Sequence, residues 1–457
     1  MIAGTHSGVG KTTVATGLMA ALGRLGFRVA PAKVGPDYID PGYHRIATGR
    51  AGANLDPFLC GPGAVAALAA RAAAGADLMV VEGVMGLFDG LGASTTASTA
   101  EVAILLGSPV VLVVDASAMS GSVSALVGGY DAQLRAIGGA GLGGIVLNRV
   151  GSDNHESILR EALGSSAAPV LGVLRRDPGL AWRDRHLGLV PVVEQPAEVA
   201  RSLERLAGLV ARHVDLGAVV ALARRAPSRP VDRASIRPTR SVSTRPVPVA
   251  VVGGPAFPFA YPDNLNRLAE AGAELVTVDP LVDRALPPGV RGLYACGGFP
   301  EVFAETLSAN EPLLADVRRR VRSGLTTWAE CGGLLWLAES IGSKRLCGAL
   351  PARATMTDRV TVGYREAAVL VDNPVAAAGT ALRGHELHYA TLDPPGEALR
   401  LVGRAGHVVS GWAGPTLLAS FLHLHLGADP GPAERFVGCA AGSAPRGGPG
   451  DRAPYTG

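Results

Sequence analysis

Aromatic residues make up only 5% of the 457-residue chain, and its apolar runs are short. The longest, such as PVVLVV at 109–114, fall far below the roughly 20 residues that a membrane-spanning helix requires. No basic stretch followed by an apolar segment opens the chain, so neither a secretory leader nor a membrane partner is expected. A surplus of one charge is also missing: a net charge of +3 is small for this length and gives no general attraction to nucleic acid. The five cysteines, Cys60, Cys296, Cys331, Cys347 and Cys439, are scattered, odd in number and without a Cys-x-x-Cys pair. That argues against a disulfide framework or a zinc cage and for a reducing, cytoplasmic setting. No internal repeat is present. What the chain does have is 48% hydrophobic residues, enough to build two ordinary domain cores.

The order of those residues points to α/β architecture. LMVVEG (78–83), PVVLVVDA (109–116), GGIVLNRV (143–150) and PVLGVL (169–174) read as buried strands, with room between them for crossover helices, which implies a parallel sheet. Residues 224–246 break the pattern, being rich in Pro, Ser and Arg without apolar periodicity. They read as a solvated linker, although their seven arginines would also attract an acidic substrate. A second α/β pattern follows, with strands at VPVAVVGG (247–254), AELVTVDP (273–280), GLYACGG (292–298) and LTTWAECGG (325–333). The expected organisation is therefore a domain at 1–223, a linker at 224–246, a second domain at 247–439 and a disordered Gly/Pro/Ala tail at 440–457.

GTHSGVGKTT (4–13) carries the sharpest chemical signal. A glycine-rich turn leading into a helix aims backbone N–H groups and the positive helix end at phosphate oxygens. Ser7, Gly8, Val9, Gly10, Lys11, Thr12 and Thr13 are the expected phosphate cradle, with Lys11 supplying a cation and the Thr12 hydroxyl a magnesium ligand. The first glycine is Gly4, one place earlier than G-x-x-x-x-G-K-[ST] requires; the bland reading is a turn before an ordinary helix. Only Met1 to Ala3 precede the loop, too few for a normal strand, so the true start is expected upstream. Carboxylates to accompany it stand in EGVMGLFDG (Glu82, Asp89) and in AKVGPDYIDPGYH (Asp37, Asp40, beside Lys33), each after a probable strand at the nucleotide-binding edge of a sheet.

WAECGGLLWL (328–337) places Cys331 between a strand and a helical pattern. A thiol on such a turn lies near a helix N-terminus, which lowers its pKa, and the N–H of Gly332 would face an oxyanion, with the turn at Gly297 and Gly298 offering a second donor. From the residues alone, a buried structural cysteine is the commoner reading. GHELH (384–388) has its histidines three apart, not four, without helical flanks, so the zinc signature H-E-x-x-H is rejected. His423 and His425 would share one strand face, a weak metal pair without a third ligand.

KVGPDYIDP, NLDPFL, VEGVMGLFDG, LNRVGSDNH and RHLGLVP, then GGFPE, AECGGLLWL, GYREA, GHELHY and ASFLHLH, run in order over nearly the whole chain. In these motifs the sequence resembles the cobyrinic acid a,c-diamide synthase family of cobalamin biosynthesis. Its first half is similar to dethiobiotin synthetase, which shares the displaced glycine, and its second half to class I glutamine amidotransferases of the cobyric-acid-synthase type. The resemblance implies a P-loop ATP-binding domain followed by a flavodoxin-like amidotransferase domain. It also implies Cys331 as the glutamine-hydrolysing nucleophile, His423 as its base, Gly332 and Gly298 as oxyanion donors, and Asn148 at the adenine edge. His425 stands where many class I enzymes carry an orienting glutamate, which leaves open what holds the His423 ring. His385 and Glu386 are expected to line a cavity without an assigned step, and Cys60, Cys347 and Cys439 to be packing or incidental thiols.

The reaction so implied is ATP-dependent amidation of the a and c acetates of a corrin hexacarboxylate, with glutamine or ammonia as nitrogen donor and Mg2+ as cofactor. Lys11 and Lys33 would stabilise the transferring phosphoryl group. Thr12 with Asp37, Asp40, Glu82 and Asp89 would hold magnesium or orient the corrin, and ammonia would travel a dry interdomain route. Similarity to actinobacterial members implies the metal-free ring, hydrogenobyrinic acid, with cobalt-containing cobyrinic acid as the alternative. A P-loop ATPase with a degenerate amidotransferase domain and a corrin carrier without chemistry are the rival readings. Oligomeric state stays open, a homodimer being one arrangement.

Overall fold

Strands that are apolar along their whole length need cover on both faces, and the first half of the chain supplies it. A computed structural model describes residues 1–177, 184–185, 188–189, 196–227, 233–404 and 406–442. In the first unit, Met1–Ile236, seven strands form one parallel sheet: β1 (Ile2–Gly4), β2 (Val29–Val34), β3 (Ala53–Leu55), β4 (Leu78–Glu82), β5 (Val110–Asp115), β6 (Leu142–Val150) and β7 (Val170–Arg175). Their order is β3-β2-β4-β1-β5-β6-β7. Every residue of β1, β2 and β3 is buried, as both-face cover requires.

That order brings three chemistry-bearing edges together. β1 sits between β4 and β5, so the loop that follows it is flanked by the carboxyl ends of the central strands. It turns into helix α1 (Lys11–Arg24), whose N-cap, Gly10, has φ 99°. Helix α2 (Asp40–Thr48) opens just after β2. The helix Pro196–His213 packs on α1 so closely that a Cβ on Gly17 would stand 2.6 Å from Val210 Cγ2. Val14, Leu18, Val113, Leu206 and Val210 belong to the core thus closed.

The second unit, Arg237–Gly457, has a six-stranded sheet. Ala273–Val278, Val247–Val252, Gly292–Ala295, Thr326–Glu330 and Leu417–Ser420 run parallel in that order, and Trp412–Gly414 closes the edge antiparallel. All four strands expected here from sequence are present. A second sheet, centred on the long antiparallel pair Arg353–Val369 and Ala381–Asp393, was not expected from the sequence. Trp328 and Trp336 are fully buried, each in an apolar cluster of this unit.

The boundary between units falls inside the expected linker 224–246, and the linker's latter half is held on the second unit. Arg237 N–H donates to Ala428 O, Arg240 N–H to Glu434, and Val242 N–H to Ala271 O. Residues 228–232 of the linker and 443–457 of the expected tail lie outside the described residues, as does most of RHLGLVP; Ala440 ends the helix Gly431–Ala440. Among the described residues no helix is long and apolar enough to cross a membrane. All five cysteines are free.

Candidate active sites

The first site lies where β1, β2 and β4 end. Thr12 Oγ1 donates to Glu82 Oε1 at 2.7 Å and to Asp40 Oδ2 at 3.3 Å. Lys33 Nζ stands among the same acids, 2.5 Å from Asp40 Oδ2, 2.9 Å from Glu82 Oε1, 3.2 Å from Gly83 O and 3.6 Å from Asp37 Oδ2. His44, fully buried and unmarked by the sequence reading, donates from Nε2 to Glu82 Oε2 at 2.6 Å. Burial alone would lower the Lys33 pKa, but Asp40, Glu82 and Asp37 outweigh it and raise it. Burial would likewise raise Glu82, yet Lys33 and His44 hold its carboxyl well below the usual range. Asp40 is pushed well up by burial, Asp37 and Glu82. Lys33 and Glu82 are thus the charged pair, and Asp40 is the acid that most readily takes a proton.

The other first-unit candidates divide. Lys11 Nζ donates to His6 O at 3.0 Å across the loop; burial and then Lys33 lower its pKa to about 8. Val9 is a core residue, while Ser7 and Gly8 are exposed. Thr13 is half-buried on the first turn of α1. Asp37 Oδ1 accepts from Ile39 N–H and Asp40 N–H, so it shapes the entry to α2, leaving Oδ2 toward Lys33. Asp89 is exposed and accepts from Gly86 N–H in its own loop, which is docked on the phosphate loop by Leu87 N–H to Gly4 O.

Asn148, expected at the adenine edge, lies against the phosphate loop. Its amide nitrogen donates to Val9 O at 2.9 Å and its oxygen accepts from Arg149 N–H, so it braces the phosphate loop. The brace explains Gly10: a Cβ there would collide with Asn148 Nδ2. Arg149, which the sequence reading missed, has φ 59°, pairs with Asp115 and donates to Gly8 O at 2.8 Å.

Among the described residues no group of three or more His, Cys, Asp or Glu is arranged to hold a metal by itself. Magnesium needs no such cage: one or two carboxylates, a hydroxyl and nucleotide phosphates suffice. The hard oxygens of Thr12, Asp40 and Glu82 converge in a set that fits it.

The second site is built on the strand Thr326–Glu330 and the helix Gly332–Leu337. Cys331, between them, has φ 47° and ψ −101°, a strained conformation that costs on the order of 1–3 kcal/mol and is held by Cys331 N–H to Ser420 O. The expected lowering of its pKa does not occur: burial first, then Glu301, push the thiol up, against a hydrogen bond from Gly332 N–H that lowers it. A six-residue helix does not offset a 4% exposed position among acids.

Two glycines shape what surrounds the thiol. A Cβ on Gly332 would lie 2.7 Å from Gly298 N, and one on Gly297 would lie 2.5 Å from His423 Cε1. The nucleophile turn and the His423 ring therefore meet at the 297–298 turn. Gly297 N–H and Phe299 N–H donate to Phe259 O and Ala256 O, whereas Gly298 N–H makes no backbone hydrogen bond among the described residues.

Around His423, His385 stacks at a ring distance of 4.9 Å, Tyr261 O–H lies 2.9 Å from His385 Nε2, and His425 Nε2 faces Asp263 Oδ2 at 3.5 Å. GHELH lies on a strand, not a helix, which puts His385 and His388 on opposite faces. Glu386 is buried, accepting from Arg365 Nε at 2.6 Å.

Family models match both halves: a CobQ/CobB/MinD/ParA nucleotide binding domain over residues 1–189 and a CobB/CobQ-like glutamine amidotransferase domain over residues 248–431. The hydrogenobyrinate a,c-diamide synthase of Streptomyces coelicolor is 46% identical, covering 96% of each chain, and that of Thermobifida fusca 44% identical, covering 97% of each. The cobyrinate a,c-diamide synthase of a Synechococcus species is 42% identical, over 96% of this chain and 97% of its own. Among solved structures, a MinD protein from Pyrococcus horikoshii complexed with Mg-ADP covers 45% of this chain and 93% of its own, at TM-score 0.29 and 18% identity. With identity of this order over nearly the whole length, and both domains in order, the chain belongs to the a,c-diamide synthase family of ATP-dependent glutamine amidotransferase ligases.

Proposed function

We propose that the chain amidates the a and c acetate carboxylates of a corrin hexacarboxylate, with metal-free hydrogenobyrinic acid as the ring. The observation that carries the reaction type is the pairing, in one chain, of a phosphate loop ringed by Thr12, Lys33, Asp40 and Glu82 with a strained Cys331 backed by Gly298 and His423. Amidation needs both parts. A carboxylate oxygen leaves only after it is phosphorylated, and ammonia is supplied by glutamine hydrolysis.

In the first unit the loop residues 7–13 hold the triphosphate. Thr12, Asp40 and Glu82 would hold magnesium, which neutralises phosphate charge when bound. Lys33 and Lys11 offset the charge on the transferring phosphoryl group. The carboxylate attacks the γ-phosphorus, ADP leaves, and the acyl phosphate then exchanges phosphate for ammonia. Asp37 and Asp89 orient the corrin edge.

In the second unit Cys331 Sγ attacks the glutamine amide carbon while Gly332 N–H and Gly298 N–H receive the oxyanion. Ammonia departs, and water releases glutamate from the thioester. Because the thiol is held protonated by burial and Glu301, His423 takes its proton as the attack proceeds.

The names of the two most identical relatives reported above support the metal-free ring, and the Synechococcus relative supports the cobalt ring as the second reading. Purified protein given ATP, magnesium and glutamine with each hexacarboxylate in turn should convert the metal-free ring to a diamide, read by mass, faster than the cobalt ring. Faster conversion of the cobalt ring would reverse the choice, and ATP turnover without an amide on either would defeat the reading.

A further inference from the structure

The residue before the nucleophile is a carboxylate that is 1% exposed, and its surroundings are those of a working group more than of packing. Glu330 Oε1 accepts from Leu424 N–H at 3.0 Å, and Oε2 accepts from Tyr294 O–H at 2.9 Å. The same Oε2 stands 3.8 Å from His423 Nδ1, an ion-pair distance too long for a hydrogen bond. Leu424 is the residue after His423, so one carboxylate both fixes the backbone beside that histidine and places negative charge beside its ring. Along Thr326–Glu330 side chains alternate in direction. Glu330 is the last residue of that strand and Cys331 the turn after it, so one strand end carries both groups.

We infer that Glu330 is the positioning residue for His423: it keeps the ring's Nδ1–H toward itself, so that Nε2 carries no proton and can take that of the thiol, and it stabilises the imidazolium that results. This rests on the proposed glutamine hydrolysis at Cys331. It supplies what the sequence left open, since His425, in the place of the expected orienting glutamate, is turned to Asp263. A charge near 4 Å in a buried setting is strong enough to matter without a direct hydrogen bond. Among the described residues, His385 stacks on the His423 ring from the strand Ala381–Asp393, His425 lies on the same segment as His423, and Tyr294 and Cys296 face Glu330. None of these offers a second carboxylate to the ring.

The test is the pH profile of kcat/KM for glutamate release by the full chain. Glu330→Gln keeps the size and one acceptor but removes the charge. It should lower kcat/KM about tenfold to a hundredfold, below the ~10⁴-fold that follows loss of a carboxylate bonded directly to the base. It should also move the acid limb to lower pH by about one unit, because the imidazolium loses its counter-charge and the base stays neutral further down. Glu330→Asp should keep that limb near the wild-type position even if the rate falls. Equal rate losses with both acid limbs unmoved would overturn the inference. If Glu330→Gln does not fold, the wild type decides: imidazole nitrogen shifts should show neutral His423 protonated at Nδ1, and protonation at Nε2 would overturn it. Glutamate release surviving Cys331→Ser would instead sink the nucleophile reading, whatever Glu330 does.

Discussion

The two reactive regions of this chain manage buried charge in opposite ways. Beside the phosphate loop the buried ions around Lys33 offset one another: Lys33 sits between Asp40 and Glu82, His44 holds the remaining oxygen of Glu82, and Thr12 bonds both acids. At the thiol the charges that act on its pKa are of one sign. Glu301, Glu386 and Glu330 all raise the pKa of Cys331, and backbone strain holds the sulfur in place. A site that must receive a highly charged nucleotide is built from compensated charge, which can be repartitioned when phosphate arrives. A site that receives neutral glutamine keeps its nucleophile neutral until a base removes the proton, which limits adventitious reaction of the thiol.

Substitutions that separate the two regions sharpen this contrast. Cys331→Ser should cut glutamine-dependent amide synthesis by roughly 10⁴-fold or more while ammonium-dependent synthesis persists, with both read by mass of the corrin product. Lys33→Met should abolish synthesis from either nitrogen source. It should also destabilise the first unit by about 3–5 kcal/mol in denaturant titrations, because two buried acids lose their cation. Retained ammonium-dependent synthesis in that variant would break the comparison.

Smaller effects probe each half alone. Gly332→Ala drives a methyl against Gly298 N, 2.7 Å away, and should cost about 10²–10³-fold in glutamate release, as loss of an oxyanion donor does, without altering ATP affinity. Smallest is the pH dependence of nucleotide binding. With Lys11 lowered to about 8, the loop loses its cation as pH rises through that value. The Kd for ATP should therefore be flat below it and climb toward about tenfold per pH unit above it, measured by titration calorimetry. A flat Kd across that range would remove Lys11 from phosphate binding.

Sequence carried much of this where the signal is local. Buried parallel strands announce themselves as unbroken apolar runs, and GVGKTT specifies its own turn, so the central strands and the loop were legible before any fold was known. The long pair Arg353–Val369 and Ala381–Asp393 was not, because residues 357–366 are exposed or half-exposed and a register shift between Met356 and Thr361 interrupts any alternation. What escaped at the sites is non-local. The brace from Asn148 to Val9 O spans 139 residues, so no local cue announces it. The thiol was expected to be acidified by the helix after it, a local cue, whereas Glu301 and Glu386 reach it from other segments. Glu330 stood in plain view beside Cys331, but its relation to His423 exists only once the segment after Leu417–Ser420 is laid alongside. His44 is the same case, since nothing in PGYH foretells Glu82.

One measurement bears most directly on the coupling of the two regions: the isotopic mass of the amide formed from a mixture of amide-¹⁵N glutamine and unlabelled ammonium, with ATP, magnesium and the corrin acid present. Wild-type protein should yield labelled amide, and the Cys331→Ser variant amide from the unlabelled ammonium alone. Labelled amide from the variant, or glutamate release by the wild type with no amide formed on the ring, would contradict the account.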